Sequence, residues 1–118
     1  MEIKANFQVG QIVFLEYGDR RLYTEMIQVV IERDLCWVRP LLIVTQEYEP
    51  PQVTDLRSSS DLLWPINLFQ PALDTQVIGL YSQIIAKEPK PELSRTRSQQ
   101  LYEFIEQFWQ GNQNQISD

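Results

Sequence analysis

The 118-residue chain contains no histidine. This removes the commonest general base near neutral pH and the commonest nitrogen ligand of zinc, copper and iron. A Ser-His-Asp triad, a Cys-His dyad and the usual zinc sites cannot be assembled from one copy of it. The single cysteine, Cys36, has no partner for an internal disulfide. Flanked by Leu35 and Trp37, it reads as a buried, unreactive thiol. The four glycines stand singly at positions 10, 18, 79 and 111, so there is no glycine-rich phosphate loop. No apolar run approaches the roughly 18 residues needed to cross a bilayer. The opening MEIKANFQVG has neither an apolar h-region nor a small-residue cleavage site, which predicts a cytoplasmic, non-membrane protein. Positive charge is also scarce: ten basic residues face sixteen acidic ones, for a formal net charge of −6. The basic residues form no stripe, and a phosphate backbone repels such a chain, so nucleic acid is not an expected partner.

What is present is β pattern. From Gln11 to Val44 three runs rich in β-branched and aromatic residues, QIVFLEY, RLYTEMIQVVI and LCWVRPLLIV, are separated by the charged breaks GDR and ERD. This is the signature of a three-stranded antiparallel meander. In the first run Ile12 and Phe14 share one face, and Val13, Leu15 and Tyr17 the other, which predicts a strand covered on both sides or strongly curved. In the second, Tyr23, Ile27, Val29 and Ile31 oppose Leu22, Met26 and Val30, with a bulge or sharp coil expected near Glu25 to Gln28. In the third, Leu35, Trp37, Leu41 and Ile43 oppose Cys36, Val38, Leu42 and Val44. Pro40 marks a bulge, an edge or a break there. Trp37, mid-strand among apolar residues, is expected in the core. Arg39 on its face either stacks on the indole or pairs with Glu25.

Residues 45–60 read as a long acidic, proline- and serine-containing loop with a short strand at Val53 to Leu56. In the next segment, Pro65 and Pro71 forbid regular helix, so it reads as a strand at Leu62 to Trp64, a turn and an extended approach to Asp74. Asp74 is placed to cap a helix, with Leu73 and Ile78 at staple spacing and Val77, Leu80, Tyr81, Ile84 and Ile85 as its apolar stripe. Gly79 weakens that helix unless close packing demands it. KEPKP, residues 87–91, is a linker. A second helix follows, with Leu101, Phe104, Ile105 and Phe108 as its stripe, widened by Tyr102 and Trp109, and with Gly111 ending it. That stripe is expected to complete the core, the alternative being a docking arm swung on the linker.

The fold class expected is therefore α+β, mainly β. A strongly bent antiparallel meander or partial small barrel spans residues 7–70, and two helices, 74–87 and 95–110, pack on it. Residues 1–118 make one domain, with a β core over 7–73, a helical part over 74–110 and a polar tail over 111–118.

No catalytic residue, cofactor or metal ligand is assigned. The carboxylate pairs Glu47/Glu49 and Asp55/Asp61 belong to no recognisable motif, and loop charge accounts for both. Arg57, bracketed by Asp55 and Asp61, reads first as an ion pair fastening the loop base. Trp64, aimed by the restriction that Pro65 imposes, either plugs the open end of the barrel or anchors a partner. Arg57, Asp61, Trp64 and Phe69 are the candidate interaction or ligand residues.

The strand pattern VGQIVFLEYGDRRLYTEMIQVV followed by DLLWPINLFQPALDTQV resembles a small family of cyanobacterial proteins without assigned function, over residues 7–86. The resemblance implies a cytosolic cyanobacterial protein and brings no catalytic residues with it. The β opening is also similar to SH3-like small barrels.

The function expected is a non-catalytic protein-interaction or assembly module that binds a protein partner or a second copy of itself. The alternative is a small-ligand binder or carboxylate-based enzyme using Asp55, Arg57 and Asp61 beside Trp64.

Overall fold

Alternating apolar residues in the first two runs specify a hairpin, and the structure, a computed structural model, builds it at the centre of the molecule. Residues 7–47, 51–57, 59–85 and 94–116 are described. Strand β1 (Ile12–Tyr17) pairs antiparallel with β2 (Arg20–Val30) through a two-residue turn in which Gly18 adopts φ +61°. A 3-10 turn at Ile31–Arg33 leads to β3 (Leu35–Thr45), with Asp34 in the left-handed region. Strands β4 (Gln52–Asp55) and β5 (Leu62–Pro65) both pair with β3, β4 along one half and β5 along the other. A second 3-10 turn, Ile66–Leu68, precedes β6 (Gln70–Pro71), which pairs with β1. The result is a bent six-stranded antiparallel sheet that does not close. Helices α1 (Asp74–Ile85) and α2 (Ser94–Ile116) complete the mainly β, α+β fold.

Two bulges decide which side chains face which way. Met26 pairs with Val38 but Gln28 with Trp37, leaving Ile27 as an extra residue on β2. Tyr23 pairs with Leu42 but Thr24 with Pro40, leaving Leu41 extra on β3, beside the proline that cannot donate to the ladder. Each bulge reverses the alternation. The main core thus takes Leu22, Met26 and then Val29 from β2, and Cys36, Val38 and then Ile43 from β3. This corrects the simple two-face division of both strands, which placed Val29 opposite Met26 and Ile43 opposite Val38. Thr24, buried among them, donates its hydroxyl to the Val13 carbonyl at 3.2 Å.

The main core lies between the sheet and α2, which contributes Leu101, Phe104 and Phe108. Of the two readings of this helix, the core reading describes what is seen. Arg20 stacks its guanidinium over the Phe104 ring at 5.6 Å and donates to Gln107, while Thr54 donates to Gln100 at 2.8 Å. A smaller core on the opposite face joins Phe14, Tyr23, Leu42 and Val44 to Val77 and Leu80 of α1.

Gly111 does not end α2, which runs on to Ile116. Its φ is not positive, and a Cβ there would sit 3.4 Å from the Tyr17 ring, an ordinary contact. A glycine signals a helix stop only where the chain turns left-handed, and here it continues. Leu73 and Ile78 are both exposed, so the expected staple is not buried. The capping carboxylate of Asp74, the side chains of Tyr81, Ile84 and Ile85, and the linker at 87–91 lie outside the described residues.

Two of the edge strands, β5 and β6, carry a proline whose ring nitrogen points outward. Ile66 donates its N–H to Asp34, so alternate residues of β5 bond to β3 and Pro65 falls between them. Ala72 donates to Ile12, which places Pro71 of β6 in the same relation to β1. Neither proline interrupts a ladder bond, and each blunts an edge.

Candidate functional site

The residues singled out from the sequence divide among three places. Arg57 holds Asp55 through two side-chain hydrogen bonds, Nε to Oδ1 at 3.0 Å and Nη2 to Oδ2 at 2.8 Å, while its backbone N–H donates to the same carboxylate. The pair fastens the end of β4. Asp61 belongs to a different arrangement, at the start of β5. Its carboxylate accepts from the Trp37 indole N–H at 2.8 Å and from Arg39 Nε at 3.2 Å and Nη2 at 3.5 Å. The expected Asp55/Arg57/Asp61 cluster is thus two separate ion pairs, because β4 and β5 pair with opposite halves of β3.

Trp64 points to the main core and meets α2, its ring 5.7 Å from both Phe108 and Trp109. Phe69 is 4% exposed and part of the same core, which corrects its choice as a surface contact: the 3-10 turn before it swings the ring inward. Cys36 is fully buried, its thiol pushed up to about 11 by desolvation and lying 3.6 Å from the Trp64 carbonyl. Glu47 is exposed, and Glu49 lies outside the described residues.

Trp37 departs most from expectation. It is 39% exposed rather than core, since Cys36 and Val38 take the core side of β3 and the intervening residue points away. On that outer face Leu63 of β5, 57% exposed, is its cross-strand partner. The pair falls at a non-hydrogen-bonded position of the ladder, where opposing side chains come closest. Arg39 follows on the same face, with Glu25 as its partner on β2. Of the two roles weighed for Arg39, neither describes its principal contact, which is Asp61.

Bonding to Arg39, and secondarily to the Trp37 indole, holds the Asp61 carboxyl below the ordinary aspartate range. The arrangement fixes an exposed indole in one orientation, with an ion pair as its bracket. Sequence reasoning found Asp61 but missed Trp37 and Leu63 as surface residues. The alternation Cys36, Trp37, Val38, Arg39 carries the signal, since Arg39 shares the indole's face.

Among the described residues, no group of three or more Cys, Asp or Glu is placed to hold a metal ion. No helix among them is long and apolar enough to cross a membrane. No protein-family model, curated protein or solved structure matches the chain.

Proposed function

We propose that this chain is a cytoplasmic protein-interaction module that engages its partner through the outer face of β3 and β5. One observation carries the reading: the Trp37 indole is exposed yet pinned by Asp61, with Leu63 beside it. Aromatic side chains dominate interface energetics, and one already held in a single orientation loses little freedom on binding. The charged groups beside it, Arg39, Asp61 and Glu25, sum to −1, and the chain as a whole carries −6. Like charge works against a second copy. The favoured occupant is a different protein, presenting an apolar contact within a basic surround.

The test is capture from a native lysate by the full chain, compared with Trp37→Ala and Leu63→Asp. A basic protein held by the parent, released by raised salt and lost from both variants, supports the reading. It fails if both variants capture the same proteins as the parent while melting as it does. It fails equally if sedimentation shows a dimer that Trp37→Ala dissociates, since the occupant is then a second copy.

A further inference from the structure

A specific protein–protein contact takes roughly 800 Å2 from each partner. Trp37 and Leu63, 39% and 57% exposed, supply only part of that, on the order of 200 Å2 together. The footprint proposed above therefore extends beyond them, and β5 shows where. Leu63 and Trp64 are neighbours in an edge strand and project from its two faces. Trp64 turns to α2, where its ring lies 5.7 Å from that of Trp109. Trp109 is itself 41% exposed, and Tyr102, two turns earlier on the same flank of the helix, is 65% exposed. Ile105, half-buried against the main core, lies between them. A second aromatic patch thus begins on the far side of the strand that carries Leu63.

Charge selects what this flank takes. Glu106 follows Tyr102 by four residues and precedes Trp109 by three, so an exposed carboxylate stands between the two rings. Glu103, also exposed, is three residues from Glu106 on the solvent side. Ring faces and carboxylates attract the same group, a lysine ammonium or an arginine guanidinium. Arg20 serves the opposite flank of α2, over the Phe104 ring and at Gln107. Pro65 offers no N–H to an incoming strand, so a partner reaching round β5 does so with side chains. We propose that the partner's basic surface wraps the β5 edge, setting its apolar contact on Trp37 and Leu63 and its lysine or arginine side chains between Tyr102 and Trp109, beside Glu106. This rests on the reading of Trp37 given above and adds a second face with a different demand, cationic where the first is apolar.

The experiment is a titration of the full chain, followed by heteronuclear NMR, with an amphipathic peptide of leucine and lysine about 20 residues long, some 30 Å as a helix. The same peptide with glutamate in place of lysine is the contrast. The indole N–H signals of the three tryptophans, assigned with single Trp→Phe variants, report the two faces separately. Those of Trp37 and Trp109 are expected to move together with one dissociation constant, and the glutamate peptide to move neither. Tyr102→Ala is expected to weaken binding about two- to fivefold. Glu106→Lys is expected to weaken it further, since it sets like charges together. Both substitutions fall at exposed positions and are expected to melt like the parent. Movement of Trp37 alone, untouched by Tyr102→Ala and Glu106→Lys, overturns this inference and leaves the outer-face reading standing. Movement of Trp109 alone overturns the wrapped footprint. Equal binding of the glutamate peptide overturns it as well, and no response to either peptide overturns both readings.

Discussion

The indole N–H of Trp37 donates to the Asp61 carboxylate at 2.8 Å, tying the first half of β3 to the residue that leads into β5. Arg39 grips the same carboxylate, so an aromatic, an anion and a cation form one surface unit.

That unit gives stability a sign with pH. The folded-state pKa of Asp61 is depressed, chiefly by its bond to Arg39, so its contribution is complete above the unfolded value, near pH ~4. It is lost as pH falls through the lower folded value. Parent and Asp61→Asn are therefore expected to differ in urea denaturation at neutral pH and to converge on acidification. A difference that stays constant down to acid unfolding would remove Asp61 from this role.

Exposure ranks two aromatic truncations. Phe104 is completely buried under α2, and Phe104→Ala should cost about 3–5 kcal/mol through transfer and cavity terms. Trp37→Ala leaves no closed cavity and should cost less than about 2 kcal/mol. Chemical denaturation of the two variants side by side checks the order, and equal losses would put Trp37 back in the core.

Gly79 lies within α1, and a Cβ built on it meets no heavy atom within 4 Å. No packing requires a glycine there. Gly79→Ala should raise stability by about 1 kcal/mol, the usual helix-propensity gain, and shift the thermal midpoint upward. A destabilised variant would show that something closes on that face of the helix.

Cys36 combines complete burial with a thiol pushed up to about 11 by desolvation. Thiolate is the reactive form, so the native protein should resist Ellman's reagent at pH 8 and react at once in denaturant. Rapid labelling of the folded protein would contradict the burial.

The meander, the short strand after the acidic loop, both helices and the bulge near Gln28 were legible because each rests on local periodicity or on a proline. Facing was legible only up to the first irregularity. Once Ile27 and Leu41 are extra residues, every later side chain on their strands changes sides relative to a strict alternation. Trp37 was misplaced for a related reason: strand alternation says that it opposes Cys36 and Val38, but not which of the two sides is covered. Asp61 was found as a charge beside Arg57, yet its partner Arg39 lies 22 residues away in the chain and meets it only through the pairing of β3 with β5. Phe69 lies between Pro65 and Pro71, where its facing was not legible. Only the turn at Ile66–Leu68 shows that it folds under the sheet.

The outward-facing prolines at β5 and β6 set how copies of this protein can meet. A strand arriving at either edge finds a ring methylene where it needs an N–H, so the sheet offers no template for a seventh strand at those positions. Crowding should therefore not add strands end to end through those two edges, and contacts made there should be ones that dilution reverses. Replacing Pro65 with a residue that carries an amide proton would hand the edge its missing donor, and the first sign of it should be thioflavin-positive polymer in a solution that had stayed clear.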